Sequence, residues 1–141
     1  MGKLWYNMLK KAGVKVMDEA LLSQLTDRII ERTSAHIVIL FGSAAQNRIR
    51  EDSDYDFAFL SDKILSEYEV FCIAQELSSR ANRDVDLIDL RKASTVFKAN
   101  IVGTGKVIYS ADEFRKHEFQ IRSFKEYALL NEERQVILDR I

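Results

Sequence analysis

Short apolar runs alternate with longer helical patterns along this chain, and this alternation limits the folds open to it. Four runs of four to six residues are rich in β-branched or aromatic side chains; they span 36–41, 56–60, 85–90 and 106–109. Such runs are too short for buried helices and are typical of strands with both faces covered. The pattern therefore predicts an α/β fold in which helices flank a small mixed β-sheet.

The segments between the runs have apolar residues at helical spacing. This spacing predicts helices over 4–12, 18–34, 66–80, 93–102 and 111–141, and Asn82 is predicted to mark the end of the third of them. In the helix over 66–80, the side chains expected to face the core are Tyr68, Phe71, Cys72, Ala74 and Leu77. The long C-terminal helix either packs across the sheet or presents a face to another chain, and its pattern favours neither arrangement.

Composition narrows the class of protein. The 141 residues are 47% hydrophobic, which predicts one domain over 1–141, with a core over about 36–109 and the C-terminal helix over about 111–140. The formal net charge of -1 gives no broad attraction to nucleic acid or to an anionic membrane, so no direct nucleic-acid partner is expected. The single cysteine, Cys72, forms no intrachain disulfide, and no apolar run approaches membrane-spanning length, which indicates a cytoplasmic protein.

One group of residues has the composition and spacing of a catalytic site. Gly42 and Ser43 follow the first strand, and ten residues later come Asp54 and Asp56 at the start of the second. Residues two apart share a face of a strand, so both carboxylates should point the same way and need a counterion. Magnesium suits such a pair, because it takes one or two carboxylates and completes its shell with water and substrate phosphate oxygens.

The third strand supplies a further carboxylate. Asp86 beside Asp54 and Asp56 would complete a two-metal site of the kind that stabilises the attacking and leaving oxygens in phosphoryl or nucleotidyl transfer. Asp89 lies three residues from Asp86 and therefore faces the other side of the strand. One of these two aspartates must point away from the site.

Gly42 and Ser43 are suited to bind the phosphate groups of the substrate in such a site. A glycine at the end of a strand lets the backbone approach a ligand closely, and amide groups at the start of a helical turn attract negative charge. The hydroxyl of Ser43 can also donate a hydrogen bond to a phosphate oxygen. The pair therefore predicts a seat for the triphosphate of a nucleotide.

The Gly-Ser, ten residues, Asp-x-Asp pattern resembles the signature of the nucleotidyltransferase superfamily that includes the palm of DNA polymerase beta. The stretch from Asp84 to Val96 also resembles the minimal nucleotidyltransferase (MNT) antitoxins that are paired with HEPN-domain ribonuclease toxins. The likeness covers about 37–109 well and the last helix more loosely.

The resemblance implies a polymerase beta palm-like fold and a role for each residue of the pattern. Asp54 and Asp56 would bind two Mg²⁺ ions, Asp86 would be the third acid and activate the acceptor hydroxyl, and Gly42 with Ser43 would hold ATP. It also implies transfer of AMP to a tyrosine of a cognate HEPN toxin. The toxin would then be the partner, in a homo- or hetero-oligomer.

Two alternatives stand beside this interpretation. The protein could modify a small molecule of the aminoglycoside type, although the chain leaves no second domain for such a substrate. It could instead be an antitoxin that masks its partner by binding alone.

Neither His36 nor His117 has a metal-ligand partner at short spacing, so both are interpreted as surface or capping residues rather than as a zinc site.

Overall fold

A computed structural model describes residues 19–42, 45 and 54–140. Its helices are α1 (Glu19–Thr33), α2 (Glu67–Ala81), α3 (Thr95–Thr104) and α4 (Glu113–Asp139), and its strands are β1 (Ala35–Phe41), β2 (Tyr55–Ser61), β3 (Val85–Asp89) and β4 (Lys106–Ser110). The predicted helix over 4–12 and the loop over 46–53 lie outside the described residues.

The four strands form one mixed sheet in the order β3-β2-β1-β4. Strand β1 is antiparallel to both β2 and β4, whereas β2 and β3 run parallel and are joined through α2. The α/β fold with a small mixed sheet and a long C-terminal helix is therefore confirmed, and every predicted element within the described residues is present.

Both faces of the sheet are covered, as the apolar runs predict. On one face, Val38 and Phe57 pack in a core with apolar residues of α1 and α2. On the other face, Ile39 and Ala58 pack against Ile101 of α3. Alternate residues of β1 and β2 thus belong to different cores, which is the expected behaviour of a strand whose side chains point to opposite sides in turn.

Short polar residues set the ends of the helices. Ser66 and Ser94 are the N-caps of α2 and α3, and each side chain accepts a hydrogen bond from a backbone amide three residues further on. Asp112 does the same for the first amides of α4. Asn82 ends α2 in the left-handed conformation, with φ 55°, which confirms its predicted position as a helix stop.

Three side chains are placed differently from their prediction. Tyr68 and Phe71 were expected to face the core, but they are 75% and 58% exposed, because the buried stripe of α2 is formed by Ile73, Ala74 and Leu77. His36 was expected at the surface, but its side chain is only 11% exposed. Its strand lies between β2 and β4 in the sheet, and its Nε2 atom is 3.9 Å from Oδ1 of Asp62.

The C-terminal helix combines both arrangements that its sequence left open. The first half of α4 packs against α3, and Ser123 is buried there. Residues 131–139 are all exposed, and Phe114 and Ile121 on the first half are exposed as well. None of the described helices is long and apolar enough to cross a membrane.

Candidate active site

The candidate site lies at the edge of the sheet where β1 ends and where β2 and β3 begin. Phe41, the last residue of β1, is paired with Asp56 of β2, and Asp56 is paired in turn with Asp86 of β3. Because directly paired residues share a face, Asp56 and Asp86 point the same way. Strand alternation places them on the face that α3 and α4 cover, since Ala58, two residues after Asp56, packs there.

Gly42 closes the site at the end of β1. It has φ +72°, in the left-handed region that favours glycine. A Cβ atom at this position would overlap Oδ2 of Asp56 and lie 3.1 Å from its Cγ atom. The group that comes close to Gly42 in the structure is therefore the carboxylate of Asp56, while the approach of a ligand to Gly42 stays a prediction.

The carboxylates of Asp56 and Asp86 interact directly. The pKa of Asp56 is raised to about 7, first by burial, then by a hydrogen bond with Asp86, and further by the negative charges of Asp86 and Asp54. Asp54 and Asp86 are exposed, whereas Asp56 is half-buried. Each of these causes disfavours the ionised form of Asp56, so the described residues place too little positive charge beside the pair.

The chemistry of this pair suits magnesium. Two adjacent carboxylates with too little positive charge around them supply the hard oxygen ligands that Mg²⁺ requires, and water and phosphate oxygens can fill its other positions. The residues present therefore fit the ion through Asp56 and Asp86. Over 19–42, 45 and 54–140, no group of three acidic, histidine or cysteine side chains is assembled as a complete metal site. Two protein carboxylates are nevertheless enough for a magnesium ion that shares a substrate phosphate.

Strand phase separates the two aspartates of β3. Asp89 is paired with Phe59 at the far end of the strand, and its carboxylate accepts a hydrogen bond of 3.0 Å from the amide of Arg91. Asp86 is the aspartate that lies beside Asp56. The predicted nucleotide-binding residue Ser43 lies outside the described residues, so the structure describes Gly42 alone of that pair.

A contact beside the aspartates was missed from the sequence. The ring of Tyr55, between Asp54 and Asp56, is covered by the guanidinium of Arg83, whose Cζ atom lies 4.6 Å from the ring centroid. The alternation of β2 indicates that Tyr55 faces away from its two acidic neighbours, but no local pattern connects it with a residue 28 positions later.

The fold and this edge of the sheet define a nucleotidyltransferase domain. Residues 23–114 match the model of the polymerase beta nucleotidyltransferase family. The chain is also 35% identical over 105 residues to the protein adenylyltransferase MntA of Shewanella oneidensis, an alignment that covers 74% of this chain and 75% of that protein. It is 27% identical over 122 residues to the MntA of Aphanizomenon flos-aquae, covering 76% and 80%. The chain belongs to the polymerase beta nucleotidyltransferase family.

Solved structures give the same result in three dimensions. The chain superposes with a TM-score of 0.77 and 31% identity on a chain from a toxin–antitoxin crystal structure with AMP-PNP, covering 88% of this chain and 98% of that one. It superposes with a TM-score of 0.75 and 29% identity on a chain from the tri-AMPylated Shewanella oneidensis HEPN toxin in complex with MNT antitoxin, with the same coverage.

Proposed function

We propose that this protein is a magnesium-dependent adenylyltransferase that transfers AMP from ATP to a tyrosine hydroxyl of a cognate HEPN toxin, and that it thereby acts as an antitoxin in the cytoplasm. The observation that carries the proposal is the pairing of Asp56 with Asp86 beside Gly42, at the edge where the family signature lies. The two MntA relatives and the two toxin–antitoxin structures support the same activity and partner.

Each residue of the site has a role in this reaction. The acceptor oxygen attacks the α-phosphorus of ATP, a new P–O bond forms, and the bond from the α-phosphorus to the bridging oxygen breaks to release pyrophosphate. Asp86 accepts the proton of the acceptor hydroxyl and passes it to solvent. Asp54 and Asp56, together with Asp86, hold the magnesium ions. When bound, magnesium supplies positive charge that offsets the charge on the triphosphate and on the leaving group.

Gly42 and Ser43 form the proposed seat of the nucleotide. Gly42 has a left-handed backbone and lies beside Asp56, at the edge that holds the carboxylates. Backbone amides in such a turn bind phosphate oxygens well. The hydroxyl of Ser43 would add a further donor to the triphosphate.

The test is transfer of label from [α-³²P]ATP in the presence of Mg²⁺ and the purified product of the neighbouring gene, which the proposal expects to be the HEPN toxin. We expect label on the toxin, at a tyrosine, and loss of its ribonuclease activity. Asp86→Asn should abolish labelling. Asp89→Asn is the matched control on the same strand, and it should label normally because an asparagine oxygen can still accept the hydrogen bond from Arg91.

The other outcomes identify the alternatives. Label on an aminoglycoside or similar small molecule, with none on the toxin, would assign the protein to small-molecule transfer. Neutralisation of the toxin without any label, unchanged in Asp86→Asn, would show that binding alone masks the partner.

A further inference from the structure

Tyr55 joins the two strands that carry the aspartates. It lies between Asp54 and Asp56 in the sequence, but its side chain packs in the core on the α1 and α2 side of the sheet and is only 3% exposed. The guanidinium of Arg83 lies over its ring at 4.6 Å from the centroid, within the range of a cation–π contact. Arg83 precedes β3 by two residues, so the stack connects the start of β2 with the start of β3.

The backbone strengthens this connection. The amide of Tyr55 donates a hydrogen bond of 3.0 Å to the carbonyl oxygen of Asp84, and Tyr55 is paired with Val85 in the ladder. The amide of Val85 in turn donates to Oγ of Ser78 on α2, at 2.9 Å. The segment 83–85 is therefore held by ring, backbone and helix contacts directly before Asp86.

The charge of Arg83 does not account for the raised pKa of Asp56. The charges that shift the pKa of Asp56 are those of Asp86 and Asp54, and Arg83 is not among them. Its guanidinium lies against Tyr55, whose side chain is on the opposite face of the sheet from Asp56. Any effect of Arg83 on the site must therefore pass through the position of Tyr55 and its neighbours.

We propose that the stack of Arg83 on Tyr55 is a positioning element that sets the distance between the carboxylates of β2 and the carboxylate of Asp86. This inference rests on the proposed function, because the aspartates are taken as the metal-binding acids. Residues that orient metal ligands change metal affinity or activity by about 10- to 100-fold when they are removed. Misplacement of a reacting group by about 1 Å has an effect of similar size.

The test compares four variants with the full-length protein. Arg83→Met keeps the aliphatic stem and removes the guanidinium, and Arg83→Lys keeps the positive charge. Tyr55→Leu removes the ring, and the double variant of Arg83→Met with Tyr55→Leu shows whether the two residues act together. The matched control is Arg80→Met, because Arg80 lies on the last turn of α2 and pairs with Glu76 at 3.7 Å rather than with Tyr55.

Two readouts are needed. The first is the affinity for Mn²⁺ in the presence of AMP-PNP, followed by the loss of the free Mn²⁺ signal in electron paramagnetic resonance. The second is the separation of kcat from the KM for ATP in the labelling assay. We expect Arg83→Met to weaken Mn²⁺ binding and to lower kcat by about 10-fold or more, with a small change in KM. Arg83→Lys should restore part of the loss, and Arg80→Met should behave like wild type.

The double variant decides whether Arg83 acts through Tyr55. If it does, the double variant should be no worse than the poorer single variant, because the stack is already lost. Multiplied defects, or a lowered melting temperature with unchanged Mn²⁺ affinity and kcat in Arg83→Met, would overturn the inference.

If wild type transfers no AMP, the proposed function fails while the Mn²⁺ titration still tests the stack. If wild type binds no Mn²⁺, there is no metal site to position and the inference fails.

Discussion

The carboxylate of Asp56 occupies the space that a Cβ atom on Gly42 would need. The two residues are far apart in the chain, and the antiparallel pairing of β1 with β2 brings them together. The backbone at Gly42 is left-handed, so a larger residue there would be strained as well as obstructed. The geometry of this edge of the site therefore depends on a glycine at this one position.

Gly42→Ala should reduce AMP transfer strongly. The added methyl group must displace Asp56, and a shift of this kind near reacting groups lowers rates by about 10²-fold. The left-handed backbone should also cost about 1–2 kcal/mol of stability. The labelling assay and urea unfolding measure the two effects. Gly103→Ala is the control, because its Cβ atom would meet Phe124 at an ordinary 3.7 Å; equal loss of transfer in both variants would contradict the prediction.

The contribution of Asp56 to the stability of the metal-free protein should fall as the pH rises. Folding raises the pKa of Asp56 from 3.8 to about 7, so the folded protein holds this proton more tightly than the unfolded chain does. The resulting stabilisation is complete below the unfolded pKa of 3.8 and is lost as the pH rises through about 7. Melting temperatures in EDTA at pH 5.5 and pH 8 should therefore differ more in wild type than in Asp56→Asn.

Magnesium should reverse part of this loss. Its positive charge offsets the repulsion between Asp56 and Asp86, so Mg²⁺ with AMP-PNP should raise the melting temperature more at pH 8 than at pH 5.5. Asp27→Asn, an exposed position on α1, serves as the control and should follow wild type. A pH profile in Asp56→Asn that is identical to that of wild type would refute this assignment.

His36 should contribute sensitivity to acid. The pKa of His36 is lowered by burial and by the positive charge of Arg115, against the smaller opposing effects of Asp62 and Asp112. A lowered pKa means that stability is present above the unfolded value of 6.5 and is lost as the pH falls through the folded value. His36→Gln should therefore lose less stability than wild type between pH 7.5 and pH 5 in thermal melts. His117→Gln, at an exposed position, should retain the acid sensitivity of wild type.

Phe57 should be among the costliest side chains to remove. It is fully buried between the sheet and the α1 and α2 layer, directly after Asp56. Phe57→Ala should lower the free energy of unfolding by about 3–5 kcal/mol, because it leaves a cavity in a packed core. Phe114→Ala removes the same ring from a position that is 76% exposed, and it should change stability by less than about 0.5 kcal/mol in urea titrations.

Local sequence patterns were sufficient to predict the helices and strands of the fold. The apolar runs predicted all four strands, because a strand with two covered faces needs continuous apolar residues wherever it lies in the chain. Asn82 predicted the end of α2 because its side chain tolerates the left-handed conformation there. The same local reasoning was wrong for Tyr68 and Phe71, since helical spacing gives the faces of a helix but not which apolar face the neighbours cover.

Local sequence patterns predicted the candidate site only in part as well. The spacing of Gly42, Asp54 and Asp56 was enough to predict a candidate nucleotidyltransferase site at this edge of the sheet. The parallel register of β2 and β3 was needed to place Asp86 rather than Asp89 beside them. The raised pKa of Asp56 and the stack of Arg83 on Tyr55 could not be predicted. Both depend on contacts between residues about 30 positions apart in the chain.

The sequence by itself determined the helices and strands, their order and the residue types that do the chemistry. The patterns that carry this information, namely the spacing of apolar residues, the capping residues and the spacing of the aspartates, each extend over a few neighbouring residues. Only the tertiary structure decided which acids meet, which face each helix buries and what holds the two acidic strands together. Those properties follow from strand register and packing, in which a shift of one residue would turn every side chain of a strand to the opposite face.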